Sequence, residues 1–147
     1  MTSNNARDNR SPHRRRRISL WFPVVIWAAL IAAATSTPGS TLPPPPIPFF
    51  DLVVHVGLYG VLGFLLYRAI RSGTRLGPTA WGWLVAFAIA QIYGVLDEVH
   101  QLWIPNRTCA LSDGLADGIG AALGIWAYVV WFARRARLKI KAADPQP

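Results

Sequence analysis

Carboxylates are the residues of this chain best suited to chemistry, and five of its seven acidic residues lie near one end of long apolar segments. These five are Asp51, Asp97, Glu98, Asp113 and Asp117. Crowded carboxylates respond by holding protons, by accepting hydrogen bonds, or by binding a cation or a cationic ligand. The pattern is therefore typical of a site for acid–base chemistry or for a ligand rich in hydrogen-bond donors.

Helical spacing adds further polar groups to the same region, because residues three or four apart share one face of a helix. Three polar faces are predicted: Asp51, His55 and Tyr59 in one helix, Tyr93, Gly94, Asp97 and Gln101 with Glu98 beside them in a second, and Asp113, Asp117, Gly120 and Gly124 in a third. The Gly120-xxx-Gly124 spacing permits a neighbouring helix to approach closely. The carboxylates of the third helix are therefore expected on the face that packs.

Most of these residues also have a structural interpretation. Asp51, Asp113 and Asp117 lie near predicted helix N-termini, where carboxylates act as caps and dipole partners. His55 and Tyr59 could simply hydrogen-bond between helices. The adjacent pair at 97–98 is harder to explain, because carboxylates are unfavourable at a helix C-terminus and costly inside a membrane. This pair is the strongest indication of function.

Metal and cofactor chemistry finds less support in the linear pattern. Carboxylate oxygens together with a histidine could bind a divalent cation. However, Asp97-Glu98-Val99-His100 does not match a two-histidine zinc helix, and no other spacing fits a tight template. The chain also lacks a nucleophile elbow, a phosphate-binding glycine loop and a cysteine pair. We therefore predict no metal and no cofactor, while acid–base chemistry by the carboxylates and His55 stays open.

Four apolar segments are long enough to position these side chains. A bilayer core of about 30 Å is crossed by about 20 apolar residues in a helix. The segments run from about 18 to 34, 47 to 70, 80 to 99 and 111 to 132. Since 52% of the chain is hydrophobic and only 15% is charged, a membrane protein is favoured over a soluble core. The predicted fold class is an all-α membrane protein, a four-transmembrane-helix bundle.

The basic residues predict the topology of this bundle. Fourteen of the fifteen Lys and Arg flank the opposite ends of the apolar segments, which leaves Arg107 as the only Lys or Arg among the carboxylates. Basic flanks resist translocation, so both termini are predicted to be cytoplasmic and the carboxylates to face outward. Attraction to anionic lipid headgroups accounts for the net charge of +8, and no nucleic-acid partner is expected.

The domain organisation follows from the same segments. We predict a basic disordered cytoplasmic tail over 1–17, a four-helix transmembrane domain over 18–134 and a basic cytoplasmic tail over 135–147. The first segment, with its basic start and small-residue end, also resembles a secretory signal peptide. The four prolines at 43–46 predict an extended strut between the first two helices.

In these motifs the chain resembles the VanZ-like family of small bacterial membrane proteins. The resemblance covers about 49 to 131 and rests on Asp51-xxx-His55-xxx-Tyr59, on Asp97-Glu98-Val-His-Gln101-Leu-Trp-Ile-Pro105-Asn-Arg107, and on Asp113 followed by Asp117-Gly-Ile-Gly120-Ala-Ala-Leu-Gly124. The family often has Lys where this chain has Leu52, Gly where it has Asn106, and Asn where it has Asp117. Two of these differences make the outer pocket of this chain more negative.

The resemblance implies a multi-pass protein of the bacterial cytoplasmic membrane. The family's namesake is associated with low-level resistance to teicoplanin, a lipophilic glycopeptide that acts on lipid-linked cell-wall precursors. We therefore expect an outward-facing acidic pocket that binds an envelope component or an amphiphilic antibiotic. Membrane lipids and a lipid-linked cell-wall precursor or glycopeptide are the expected partners. The alternative is a membrane enzyme that processes a lipid-linked or glycosylated envelope substrate.

Specific roles are expected for the polar residues in this pocket. The expected ligand-binding residues are Asp51, His55, Tyr59, Asp97, Glu98, Gln101, Arg107, Asp113 and Asp117. Arg107 would contact an anionic group of the ligand, and the carboxylates would order hydroxyl or amine donors. In the enzyme hypothesis, Asp97 or Glu98 acts as general acid or base with His55 as partner. A proton-coupled transporter is less favoured, because no chain of ionisable groups reaches the basic side.

Overall fold

Four α-helices form the chain in the computed structural model, which describes residues 12–41, 43, 45–76, 81–107 and 109–143. The helices are α1 (Pro12–Thr35), α2 (Phe50–Gly73), α3 (Trp81–Gln101) and α4 (Leu111–Ala143). A short 3-10 turn, Gly39–Thr41, lies between α1 and α2. All four helices are long and apolar enough to cross a membrane. The predicted all-α, four-transmembrane class is confirmed, and the cytoplasmic location of both termini stays a prediction.

The helices run alternately up and down the bundle, with α2 at its centre. Helix α2 contacts each of the other three helices, and its contact with α4 is the most extensive, whereas no contact joins α1 to α4 in the part of the chain that is described. We call the end where α1 and α3 finish the acidic end, because the predicted carboxylate site lies there. The opposite end, where the C-terminal parts of α2 and α4 carry basic residues, is the basic end.

Glycines bring α2 and α4 close together. A Cβ atom added at Gly120 would collide with the backbone carbonyl of Val56, and one added at Gly124 would collide with the carbonyl of Gly60. Only residues without a side chain allow this approach, so the close packing expected from the Gly120-xxx-Gly124 spacing is confirmed. These glycines face a helix of their own chain.

Apolar side chains cover the outside of the bundle, as expected for a surface in contact with lipid. Val25, Ile92 and Trp126 are 62%, 61% and 65% exposed, although each belongs to a helix that could span the membrane. The interior of the bundle contains Tyr59, Leu62, Leu66 and Ile70, the buried stripe of α2. Exposed apolar surface of this extent is stable in a bilayer and unfavourable in water.

The helix boundaries differ from the predicted domain boundaries at both ends. Helix α1 begins at Pro12, inside the segment predicted as a tail, and α4 continues to Ala143, through most of the basic segment predicted to follow the domain. Proline is favourable at the first helical position, and Arg, Lys, Ala and Leu are good helix formers. At 33 residues, α4 is roughly 50 Å long, so it extends beyond a membrane core of about 30 Å.

Some sequence predictions fall on residues outside those described. Residues 1–11 and 144–147 belong to the predicted tails, and the predicted proline strut includes residue 44, which is also outside the described ranges. Residues 42, 77–80 and 108 complete this set.

Candidate functional site

Buried polar side chains gather at the acidic end of the bundle. Apart from tyrosines, the buried polar residues of the described chain are Thr35, His55, Asp97, Glu98, Gln101 and Asp117. All four helices contribute, since one lies on α1, one on α2, three on α3 and one on α4. Polar groups inside a membrane bundle are costly unless they pair with one another or face a wet cavity. Their convergence makes this end the candidate site.

His55 and Asp117 form a buried polar pair between two helices. His55 Nδ1 lies 2.8 Å from Asp117 Oδ1, a hydrogen bond between α2 and α4. When Nδ1 carries a proton it donates to the carboxylate, which sets the orientation of the ring. The other nitrogen, Nε2, then points towards Asp113, whose Oδ2 is 4.0 Å away. The imidazole is thus held between two carboxylates of α4.

A glycine of α3 makes room for the Asp117 carboxylate. A Cβ atom added at Gly94 would lie 2.7 Å from Asp117 Oδ2 and 3.3 Å from Tyr59 Cε1. The Tyr59 ring is fully buried, and its centroid lies 6.4 Å from that of His55 and 6.2 Å from that of Tyr93. Gly94 therefore allows α2, α3 and α4 to bring their polar groups together at one level.

Glu98 joins the end of α3 to the loop that precedes α4. Its Oε2 accepts a hydrogen bond of 3.0 Å from the backbone N–H of Ala110, and its Oε1 accepts one of 3.3 Å from Gln101 Nε2. The exposed Cys109 is also in this loop. Local desolvation, together with the nearby Glu98 carboxylate that its thiol hydrogen-bonds, raises the pKa of Cys109. Glu98 thus organises the loop while its carboxyl group stays buried.

Asp97 is hydrogen-bonded to Thr35 of α1, a residue that was not among the predicted site residues. Its Oδ1 accepts a hydrogen bond of 2.7 Å from Thr35 Oγ1. The carbonyl of Ile31, 3.0 Å from the same hydroxyl, competes for its single proton, and the carboxylate is the stronger acceptor. Thr35 lies at the end of α1, in a small-residue run that also matched a cleavage site, so its place in the site had no sequence signal.

Several buried oxygen atoms at this end have no hydrogen-bond partner in the described structure. They include Asp97 Oδ2, Asp117 Oδ2 and the Tyr59 hydroxyl. Leaving a buried polar group unpaired costs about 1–3 kcal/mol, and more for a charged group. Such atoms are rare in native proteins and are commonly explained by a bound water, ion or ligand. The acidic end therefore has unused capacity to accept hydrogen bonds.

A groove between α1 and α3 gives access to Asp97. It has a volume of about 310 Å³ and is lined by Ala32, Ala33, Ser36, Tyr93, Leu96, Asp97 and His100. Leu96, on its wall, is 60% exposed on the outside of the bundle. The Tyr93 hydroxyl donates a hydrogen bond of 2.6 Å to the Ala28 carbonyl, so the ring is held in place. We call this feature the acidic groove.

Three of the expected site residues lie outside the buried cluster, namely Asp51, Arg107 and Asp113, and of these Asp113 is half-buried beside His55. Asp51 is exposed in the first turn of α2, has no hydrogen bond or ion pair among the described residues, and is placed to stabilise the helix dipole. Arg107 donates hydrogen bonds to the backbone carbonyls of Thr37 at 3.2 Å and Ala34 at 3.5 Å. It forms no ion pair with a carboxylate in the described part of the chain. Arg107 therefore satisfies carbonyls at the end of α1, and its expected place in the ligand site stays a prediction.

The α3–α4 loop packs against the loop that follows α1. The backbone N–H of Gly39 donates to the carbonyl of Pro105 at 3.0 Å, and a Cβ at Gly39 would collide with the Asn106 carbonyl. Asn106 has a φ of 57°, in the left-handed region where glycine and asparagine are best tolerated. This conformation explains why Asn can stand where the family often has Gly. The two loops, joined also by Arg107, close the acidic end.

Three residues at this end could hold a metal ion. One ligand atom from each of His55, Glu98 and Asp113 lies within 4.8 Å of those from the other two. Asp117 binds the other nitrogen of His55, as carboxylates commonly do for metal-binding histidines. These residues come from three helices, which is why linear spacing did not reveal them. The absence of a metal from the chain's function stays a prediction.

Fold and site together define this chain as a helical multi-pass membrane protein with a buried carboxylate and histidine site at one end of its bundle. The sequence model of the VanZ/LLP1 family matches residues 2–132. The chain belongs to this family. No curated protein and no solved structure shows a significant match. The resemblance seen over about 49 to 131 is confirmed, and the match extends it to include α1.

Proposed function

We propose that this VanZ/LLP1 family protein binds, at its acidic end, an amphiphilic component of the bacterial envelope that presents hydroxyl or amine donors. The observation that carries the proposal is the incomplete hydrogen bonding of Asp97. One of its oxygens is bonded to Thr35, the other is buried without a partner, and the residue lines the acidic groove. A donor group entering the groove would reach the Asp97 carboxylate, and a rotation of that side chain would bring the second oxygen to the donor.

The balance of donors and acceptors favours a cationic or hydroxyl-rich group over an anionic one. Asp97, Glu98, Asp113 and Asp117 contribute acceptors at this end. Arg107, the cation expected to receive a phosphate, already donates to two backbone carbonyls. An anionic group at Asp97 would therefore meet uncompensated negative charge, whereas an ammonium group would gain charge-assisted hydrogen bonds.

The position of the acidic groove favours entry from the bilayer. Its walls at Ala32, Ala33 and Leu96 are apolar and lie on the surface of the bundle, while Asp97 supplies a buried charge. An amphiphile could place its donor group at the carboxylate and leave its chain among the lipids. The volume of about 310 Å³ is at the low end of the usual range of about 300–1,000 Å³ for ligand pockets. It suits one sugar-sized or amine-bearing group of a glycopeptide or lipid-linked precursor.

Three probes of equal chain length test this proposal: octylammonium, octyl glucoside and octyl sulfate, each titrated into the protein in neutral detergent with native mass spectrometry as readout. We expect octylammonium to bind most tightly and octyl sulfate least. Asp97→Asn should weaken octylammonium binding at least about tenfold, because a hydrogen bond to a charged group contributes about 1.5–3 kcal/mol. Asp51→Asn, the matched control, removes an exposed carboxylate and should change nothing.

Equal losses in Asp97→Asn and Asp51→Asn would show that overall charge, and not the groove, attracts the probe. Tight binding of octyl sulfate would contradict the donor preference directly. A cellular test follows from the same pair. If the ligand is a glycopeptide such as teicoplanin, Asp97→Asn should change the susceptibility of cells to that glycopeptide. Both Asp97→Asn and Asp51→Asn should still insert into membranes normally.

The second candidate function is an envelope enzyme that uses acid–base chemistry, and the His55–Asp117 hydrogen bond of 2.8 Å favours it. A carboxylate that orients an imidazole leaves the other ring nitrogen free to move a proton, and Glu98 and Asp113 lie beside that nitrogen. This function requires that purified protein convert a lipid-linked saccharide. Glu98→Gln should abolish the conversion without loss of folding. Conversion that persists in this variant would exclude Glu98 as the general acid or base.

A further inference from the structure

A second groove lies at the basic end, far from the carboxylates. It has a volume of about 370 Å³, and the residues that matter here are Arg68, Tyr128, Trp131, Phe132, Arg135 and Lys139. Three of these are cations and three are aromatic. We call this feature the basic groove. Its chemistry is the opposite of the acidic groove, and the proposed function does not use it.

Aromatic rings hold two arginines beside the basic groove. The Arg135 guanidinium lies 4.6 Å from the centroid of the Trp131 ring, and the Arg71 guanidinium lies 4.4 Å from that of Phe132. Tyr128, which is almost fully buried, stacks on Phe132 with centroids 6.1 Å apart. Cation–π contacts of this kind position a guanidinium without neutralising its charge. Each cation can therefore still bind an anion.

Arg68 supplies the unpaired donor of this groove. Its Nε atom is buried and has no hydrogen-bond partner in the described structure. No acidic residue lies at the basic end within the described ranges, so Arg68, Arg135 and Lys139 have no carboxylate to pair with there. A buried guanidinium N–H without a hydrogen-bond partner is energetically costly. An anion with several acceptor oxygens would satisfy it.

We infer that the basic groove binds the phosphate of an anionic phospholipid headgroup. Trp131 and the basic residues in the C-terminal part of α4 mark the level at which headgroups meet the bundle, because Trp, Lys and Arg concentrate at that boundary. Phosphate oxygens would accept from Arg68, Arg135 and Lys139, and the acyl chain would lie against the aromatic wall. A zwitterionic lipid is disfavoured, since its own ammonium group would face three cations.

Lipid retention in native mass spectrometry tests this inference. Protein in neutral dodecyl maltoside is titrated with phosphatidylglycerol or with phosphatidylcholine of the same acyl chains, so no charged surface competes. We expect one molecule of phosphatidylglycerol to be retained in preference to phosphatidylcholine. Arg68→Gln should weaken retention about fivefold, the ratio that corresponds to about 1 kcal/mol per basic residue acting on an anionic lipid.

Two further variants separate the site from general charge and from folding. Lys139→Gln, at an exposed position, cannot disturb the core, and it should weaken retention to a similar extent. Arg137→Gln is the matched control, because residue 137 lies two positions from both Arg135 and Lys139 and so faces away from the groove. It removes the same charge and should leave retention unchanged.

Three results would overturn the inference. Equal weakening by Arg137→Gln and Lys139→Gln would show attraction to net charge only. Equal retention of phosphatidylcholine and phosphatidylglycerol would remove the preference for an anionic lipid. Inorganic phosphate that displaces phosphatidylglycerol at equal concentration would show a site for a free anion, in which the acyl chain plays no part.

Discussion

Replacing Gly94 with alanine should break the polar site from within, because this glycine makes room for Asp117. The added methyl would lie 2.7 Å from Asp117 Oδ2, closer than such atoms approach in real structures. The carboxylate cannot move freely, since its residue is 1% exposed and its other oxygen is bonded to His55 at 2.8 Å. The collision is therefore relieved only by weakening that hydrogen bond or by separating α3 from α4.

The expected cost follows from these contacts. Overpacking a tight interior costs about 1–3 kcal/mol, and a lost hydrogen bond to a charged group costs about 1.5–3 kcal/mol. Alanine recovers about 1 kcal/mol of helix propensity relative to glycine. We therefore expect Gly94→Ala to lower the free energy of unfolding by roughly 2–4 kcal/mol. Gly57→Ala is the matched control on α2, because a Cβ there meets nothing within 4 Å, and it should be neutral or slightly stabilising.

Reversible unfolding in mixed micelles, with sodium dodecyl sulfate as denaturant, measures both free energies. A double-mutant cycle identifies the cause. In an Asp117→Ala background the colliding oxygen is absent, and the nearest remaining side-chain contacts lie at 3.3–3.4 Å, so most of the cost of Gly94→Ala should disappear. An undiminished cost in that background, or an equal cost at Gly57, would refute the assignment of this contact.

Three further predictions concern the loops and the end of α1. Thr35→Val should lower the free energy of unfolding by about 1.5–3 kcal/mol, because Asp97 loses a hydrogen-bond donor. Thr35→Ser keeps the hydroxyl and should retain most of the wild-type stability. Equal losses in the two variants would mean that the hydroxyl is unimportant. Arg107→Gln should destabilise the fold by about 1–3 kcal/mol and leave octylammonium binding intact, and the reverse result would restore Arg107 to the ligand site. The raised pKa of Cys109 means that its thiol stays protonated at a pH where an ordinary cysteine ionises. Its alkylation by an impermeant maleimide should therefore be slower than that of a model thiol. The rate should begin to rise only at a higher pH than for the model thiol. Labelling in intact cells would also test whether the acidic end faces outward, and protection there would contradict the predicted topology.

The closed acidic end explains how a small bundle can bury several carboxylates. The pair of loops held by Gly39, Pro105 and Arg107 covers the site from above, while the acidic groove opens sideways. The basic groove lies at the opposite end, and Arg68 Nε there has no hydrogen-bond partner in the described structure. The ligands proposed for the two grooves therefore carry charges of opposite sign.

The helix boundaries illustrate where sequence reasoning reached its limit. The apolar segments predicted the membrane-crossing part of each helix, but α4 continues through residues 133–143, because nothing in that basic stretch disfavours a helix. A span is defined by its hydrophobic length, whereas a helix end is decided by propensity and capping. The change from apolar to basic residues therefore marked a boundary of the predicted span and not the end of the helix.

The prediction for Asp51, His55 and Tyr59 shows the same limit within one helix. Their spacing correctly placed them on one stripe, but only His55 and Tyr59 are buried. Asp51 is exposed, because it lies in the first turn of α2. Helix phase specifies a direction around the axis. It does not specify how far along that axis a neighbouring helix extends.

The linear pattern was enough to predict the four membrane-crossing helices, the segregation of charge between their ends and the family. It also identified four carboxylates that lie in or beside the buried cluster. These properties follow from local composition and helical period, which need no knowledge of neighbours. The packing of the helices and loops was needed to show that Thr35 donates to Asp97, that Ala110 donates to Glu98, and that Arg107 donates to backbone carbonyls. Such partners come from different helices and loops, and a hydroxyl or a backbone N–H leaves no periodic trace in the chain. The physical reason is that hydrogen bonding is specified by distance in space, whereas hydrophobic length and charge flanking are specified along the sequence.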